Sequence, residues 1–326
     1  MSSYLVTGAQ GCIGAWVVKN LVDRHQTVLV YDLDLEPKRL GLLLRPRELE
    51  RVQFVKGDVC NFEQLSSEAQ RHAVDYIIHL AGLQVPTCRA NPRLGAMVNV
   101  AGTVNVFEAA RVLGSGLQGL VYASSAAVFG RDEDYGDSPL DESAVLLPET
   151  HYGVFKQCNE GNARVYFKDH QLSSVGLRPY AVYGPGRDFG ITSGPTKAIK
   201  AVVAARAFEI KFGGPISMQF VDDTAKTFIA CTESHKTGAR TYNIRGAVVT
   251  VEEVIQAIEE VYPKSKGLIH CTKNRLGIAS NLAEEGLREE IGTVPTTPLK
   301  EGIEATIRIF EDLKSEGRLD LSDLET

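Results

Sequence analysis

Tyr4-Leu5-Val6-Thr7-Gly8-Ala9-Gln10-Gly11-Cys12-Ile13-Gly14 is the stretch that decides the fold. An apolar run of strand length enters a turn with glycines at 8, 11 and 14. Ile13, Val17 and Leu21 then recur at helical spacing, and Trp16, Val18 and Val22 widen the apolar face. Glycines here let the chain turn tightly out of a strand, let backbone approach a pyrophosphate and let the helix pack closely on a sheet. A bound anion then meets free N–H groups and the positive end of a helix dipole. The order of strand, glycine turn and helix predicts a nucleotide site, in the spacing G-x-x-G-x-x-G rather than G-x-G-x-x-G.

Working outward, Thr27–Tyr31 reads as a buried strand ending at Asp32, and further apolar runs fall at Val52–Val55, Tyr76–His79, Leu120–Ala123 and Val175–Leu177. Helical patterns separate most of them, notably Val98–Leu113 and Val154–Lys168. Strands alternating with helices imply parallel pairing through right-handed crossovers, hence an α/β, doubly wound parallel sheet of the Rossmann type. From about residue 181 the rhythm changes. Gly184-Pro185-Gly186 and Gly190 to Pro195 make a loop-rich stretch, Pro195 can open a helix to about Arg206, and Thr250 can cap a helix Val251–Val261. A last helix is expected from Leu299 to Leu313. The expected division is a dinucleotide-binding domain from 1–180 and 220–250, with a smaller, discontinuous substrate domain from 181–219 and 251–326.

Composition narrows the function classes. Hydrophobic residues at 44% and charged residues at 23% of 326 describe an ordinary globule, and Lys+Arg 35 against Asp+Glu 41 gives a net charge of -6 without a basic run. Nucleic acid and anionic membranes are therefore poor partners. No stretch reaches the ~20 apolar residues of a membrane span, and Met1 leads straight into the first strand, so a cytoplasmic protein is expected. Cys12, Cys60, Cys88, Cys158, Cys231 and Cys271 are scattered without C-x-x-C spacing, and no metal site is expected.

Asp32 stands 18 residues beyond Gly14 at a strand end, where a carboxylate accepts from ribose hydroxyls and repels a 2′-phosphate. Leu33 and Asp34 add no cation, so NAD is expected over NADP. Asp58 and Val59 are candidates for the adenine, and Leu80, Ala81 and Gly82 for the pyrophosphate or nicotinamide ribose. With Gly8, Gly11, Cys12, Ile13 and Gly14, and with Asn99, Tyr152, Lys156 and Tyr180, they form the expected cofactor set.

Tyr152 and Lys156 stand four apart at the head of a helical pattern, so both project from one face. A tyrosine used as a base near neutrality needs its pKa lowered from ~10 by about 3 units, roughly 4 kcal/mol, which a fixed ammonium and an oxidised nicotinamide help to supply. Tyr262 and Lys266 repeat the interval, but Pro263 makes them a surface turn. Upstream, Tyr122-Ala123-Ser124-Ser125 closes a strand, and a hydroxyl there can hold the substrate oxygen.

Taken together, T-G-x-x-G-x-x-G, Asp32, Gly57-Asp58-Val59, His79-Leu80-Ala81-Gly82, Ser124-Ser125, Tyr152-x-x-x-Lys156 and Leu177-Arg178-Pro179 through Gly186 resemble the extended short-chain dehydrogenase/reductase family, in its NAD-dependent epimerase/dehydratase branch. The resemblance covers nearly the whole chain. It implies that Ser125 and Tyr152 act on a substrate hydroxyl, that Lys156 positions NAD, and that a homodimer forms through helices near 98–113 and 153–168.

The departures from that pattern speak to substrate. Dehydrating members carry Asp-Glu where this chain has Ala126-Ala127. Members that bind nucleotide sugars usually carry an asparagine at the place of Ala181, an arginine near Met218-Gln219, and an asparagine in the loop 190–196. Burying a diphosphate without such partners is costly. The expected reaction is hydride transfer at a secondary hydroxyl of a small carbohydrate-like substrate: a sugar, sugar acid or polyol. Ser124, Arg187, Ser193, Thr196 and Lys197 are candidates to line its site, with Arg187 or Lys197 receiving a carboxylate. A UDP-sugar 4-epimerase is the alternative, and a non-catalytic NAD-sensing protein is another.

Overall fold

The computed structural model describes residues 1–136 and 139–325; Thr326, the end of the expected second domain, lies outside the described residues. The chain lays down β1 (Ser3–Thr7), β2 (Thr27–Asp32), β3 (Val52–Lys56), β4 (Tyr76–His79), β5 (Gly119–Ala123) and β6 (Ser174–Arg178). Beyond them come β7 (Ala181–Tyr183), β8 (Phe208–Ile210), β9 (Pro215–Phe220), β10 (Ala239–Asn243), β11 (Ala247–Thr250) and β12 (Ile269–Cys271). A seven-stranded sheet has the order β10-β6-β5-β4-β1-β2-β3, and every pairing in it is parallel. This is the doubly wound sheet that the alternating pattern predicts.

Continuous apolar strands arise because both faces are covered. On β1, Tyr4 and Val6 pack with Trp16, Val17 and Leu21 of helix Cys12–Asp23 and with Ala225 and Phe228 of helix Val221–Thr232. Leu5 between them points the other way, into a cluster with Leu65, Phe107 and Ala163 from the helices that cross the opposite face. The strand order reverses between β1 and β4. Ligands of such sheets gather in the crevice at this switch point, beyond the carboxyl ends of the strands.

Two smaller sheets lie beyond the main one. β9 pairs in parallel with β7 and antiparallel with β11, and β8 pairs with β12. Residues 247–250 thus join β9 in the small sheet, whereas β10 extends the large one. Among the described residues no helix is long and apolar enough to cross a membrane, and all six cysteines are free.

Candidate active site

The glycine turn and the loop after β4 meet at the switch point. Gly8 has φ +69°, and a Cβ on it would lie 2.4 Å from the Ala81 nitrogen; a Cβ on Gly14 would lie 2.3 Å from the Gly8 carbonyl oxygen. Only glycine fits the first of these positions without strain. Gly11 caps helix Cys12–Asp23 without a side chain, and no acidic residue sits in the first turn. The N–H groups there remain open to an anion. Two guanidinium groups, Arg39 and Arg187, act electrostatically on Cys12 in this turn, although burial dominates and pushes its thiol up to about 11. A tight turn and an uncapped helix start fit the pyrophosphate of a dinucleotide. Asp32, half-buried at the end of β2, accepts from the N–H of Gln10 at 2.9 Å and of Leu33 at 2.8 Å. Asp58 accepts from the Cys60 N–H, and Val59 packs on Gly102. These three residues lie outside the catalytic cavity, near the ends of β2 and β3.

The cavity itself, of about 190 Å³, is walled by the glycine turn, Leu80, Gly82, Ser124, Ser125, Tyr152, Lys156, Tyr180 and Arg187. Local chemistry explains how its centre is built. Thr150 caps helix His151–His170 by accepting from the Gly153 N–H at 3.0 Å. A Cβ on Gly153 would lie 2.1 Å from the Ala127 carbonyl oxygen, so the helix start sits directly on the turn after β5. Ser125 accepts from the Ala127 N–H at 3.1 Å, which leaves its own proton for Tyr152. Burial holds the Tyr152 phenol above its ordinary range, while the bond from Ser125 and the charge of Arg187 pull it back. Lys156 donates to the Ala123 carbonyl at 2.6 Å, with its Nζ 5.5 Å from the centre of the Tyr152 ring. Burial lowers its pKa to about 8.

Other expected site residues take different places. Ser124 is fully buried in the cavity wall and donates to Glu160 Oε1 at 2.5 Å, so its hydroxyl braces that wall. Asn99, inside a π-helical turn at Met97–Ala101, accepts from the Leu83 N–H at 2.7 Å and donates to its carbonyl at 2.8 Å, which fixes the loop that carries Gly82. Tyr180 donates to the Ile278 carbonyl at 2.8 Å. Of the loop candidates, Arg187 reaches the cavity. Ser193 bonds the Gly190 carbonyl, Thr196 accepts from the Gly184 N–H, and neither they nor Lys197 form its wall. Thr196 and Lys197 are buried because the packing of helix Gly194–Val203 on the rest of the fold leaves almost no side open, and Ser193 is buried at its N-cap.

Gln84, Val85, Ile191, Thr192 and Ile278 are wall residues that sequence reasoning missed. Ile191 and Thr192 stand beside residues that it named, but nothing local marks Ile278.

The model of the NAD dependent epimerase/dehydratase family matches residues 4–244. The UDP-glucose 4-epimerase of Mycolicibacterium smegmatis is 29% identical over 94% of this chain and 98% of its own length. UDP-glucuronate 4-epimerase 4 of Arabidopsis thaliana is 28% identical over 94% of this chain and 74% of its own. The crystal structure of Thermus thermophilus UDP-glucose 4-epimerase in complex with NAD superposes with a TM-score of 0.80 at 24% identity, covering 94% of this chain and 98% of that one. Fold and matches together define an NAD-dependent enzyme of the extended short-chain dehydrogenase/reductase class. Within that class, the chain belongs to the NAD-dependent epimerase/dehydratase family.

Proposed function

We propose that the enzyme moves hydride at a secondary hydroxyl of a compact, carbohydrate-like substrate carrying a carboxylate, with Ser125, Tyr152 and Lys156 as catalytic residues. Arg187 carries this reading. Its Nη2 donates to Thr192 Oγ1 at 2.7 Å and its Nη1 reaches Gln84 at 3.5 Å, yet Nε is buried with no partner, and no carboxylate among the described residues lies within ion-pair distance. A guanidinium in the cavity wall beside Tyr152 is matched by a substrate anion. Two departures that speak against a nucleotide diphosphate share one register pair: Ala181 lies opposite Met218 between β7 and β9, and both are buried. Gln219 is engaged on both sides, accepting from the Tyr180 N–H and donating to the Ile244 carbonyl.

Tyr152 takes the hydroxyl proton, Ser125 holds the oxygen that loses it, and the Lys156 ammonium favours the phenolate. Gly8, Gly11, Cys12, Ile13, Gly14, Asp32, Asp58, Val59, Leu80, Ala81, Gly82, Asn99 and Tyr180 would hold or frame NAD, which when bound supplies the hydride acceptor. Segments 1–180 and 220–250 serve the cofactor and 181–219 and 251–326 the substrate, with β11 lent to the latter. Pairing of two chains is part of this reading: Val154, Cys158 and Val165 are exposed along one side of helix His151–His170, and Leu94 and Met97 are exposed near its partner helix.

The relatives favour a second reading, epimerisation of a UDP-sugar. Purified protein is incubated with NAD and, separately, sugar acids, neutral sugars, polyols and UDP-sugars. Reduced nicotinamide with a sugar acid is the expected result, and Arg187→Gln raises KM for that acid at least about tenfold. Isomerised UDP-sugar without net reduced nicotinamide establishes the second reading instead.

A further inference from the structure

Asp32 has a cation near it that the residues following it do not announce. Arg39, seven positions on, donates through Nη1 to the Gln10 carbonyl at 2.8 Å, while the Gln10 N–H donates to Asp32 at 2.9 Å. One residue of the glycine turn therefore carries a guanidinium on its carbonyl and a carboxylate on its N–H, and Arg39 feels the charge of Asp32. The remaining nitrogens of Arg39 are spent on Asp188. Nε reaches Oδ2 at 2.9 Å and Nη2 reaches Oδ1 at 2.5 Å, a fork-to-fork pair between residues 149 positions apart.

The loop that supplies Asp188 is itself fixed on the helix that follows the glycine turn. Trp16 donates from its indole to the Pro185 carbonyl at 2.9 Å. Gly186, at φ +93°, brings the backbone so close that a Cβ would lie 3.5 Å from Arg39 Cδ and 3.8 Å from Cys12 Cα. Arg39 is thus held on the side of Gln10 that faces the substrate loop. An arginine near the adenosine ribose is the side chain that accommodates a 2′-phosphate, and an acidic residue there is the one that repels it.

We propose that Asp188 withholds Arg39 from the 2′-position of the cofactor, so that selection of NAD over NADP rests on the Arg39–Asp188 pair as well as on Asp32. Arg39 and Asp188 are specificity-determining residues that act together: the pair cancels a nearby positive charge that would attract a 2′-phosphate. The side chains are 31% and 30% exposed, so opening the pair leaves the fold little changed.

The inference rests on Asp32 facing the adenosine ribose. The test is titration calorimetry of NAD and NADP into the cofactor-free, full-length protein, which needs no substrate. Asp188→Asn is expected to shift the affinity ratio toward NADP by about tenfold or more, Asp188→Ala to do the same, and addition of Arg39→Gln to cancel the shift. The double variant separates release of Arg39 from simple removal of a negative charge. An unmoved ratio in both single variants, with Asp32→Ala weakening NAD, overturns the proposal alone; so does a shift that survives Arg39→Gln. If Asp32→Ala binds NAD as the parent does, the reading of Asp32 and the proposal fall together.

Discussion

His79 shows how much chemistry rests on one side chain outside the catalytic set. Its Nδ1 lies 2.7 Å from Thr7 Oγ1 and its Nε2 2.9 Å from Thr103 Oγ1. Thr103 donates to the Asn99 carbonyl at 2.7 Å, so its oxygen accepts from Nε2–H, and the Thr7 hydroxyl donates to Nδ1. The neutral ring thereby joins the strand before the glycine turn to the helix turn that braces Gly82. Burial, and secondarily the charge of Lys156, hold its pKa down at about 3. An unfolded histidine titrates near ~6.5, so between these values the unfolded chain binds a proton that the folded one refuses. The stability that His79 contributes is complete above the unfolded pKa and is lost as pH falls. Between neutrality and pH ~5 the loss amounts to about 2 kcal/mol. Urea midpoints should track that decline, and His79→Gln should flatten it; an equally steep decline in the variant would contradict the neutral assignment.

At the scale of elements, helix His151–His170 places Tyr152, Lys156, Asn159 and Glu160 toward the sheet and its neighbours. Glu160 accepts both forks of Arg178 at 2.8 Å, with both side chains almost fully buried, and also the Ser124 hydroxyl. The helix is thus tied to the ends of β5 and β6, which keeps Lys156 under Ala123. Removing one partner of a buried pair strands the other charge, so Glu160→Gln is expected to cost about 3–5 kcal/mol in denaturant unfolding. A loss below ~1 kcal/mol would show that the pair does not anchor the helix. Tyr152 and Lys156 were legible in the sequence because a helix turns the interval of four into proximity. Glu160, four further on, carried no such mark, since its partners Arg178, at the end of β6, and Ser124, just after β5, lie 18 and 36 positions away in the chain. Ser124 and Ser125 share a type, and only the tertiary partner Glu160 separates a wall brace from a hydroxyl aimed at Tyr152.

For the whole molecule, the parallel sheet and its switch point followed from local signals: apolar runs, the glycine turn and the alternation of strand and helix patterns. The substrate side was less legible because contacts distant in sequence make it. Ile278 reaches the cavity through the bond from Tyr180, and Arg187 is held by Thr192 and Gln84 from different loops. Arg39 lies only seven positions after Asp32, but its hold on Gln10 and its pairing with Asp188 join residues 29 and 149 positions apart, which local signals do not show. Assembly belongs to this scale too. If the exposed valines of helix His151–His170 pair two chains, Val165→Glu should convert a dimer into a monomer in size-exclusion chromatography with light scattering, and an unchanged mass would place the interface elsewhere. The central claim is that Tyr152 removes the substrate proton within an NAD-dependent hydride transfer. It is tested most directly by the rate at which reduced nicotinamide appears in a single turnover of the parent enzyme and of Tyr152→Phe, each saturated with NAD and an accepted substrate. The expected result is a fall of about 100-fold or more, with NAD affinity within about twofold of the parent; an unchanged rate would contradict it.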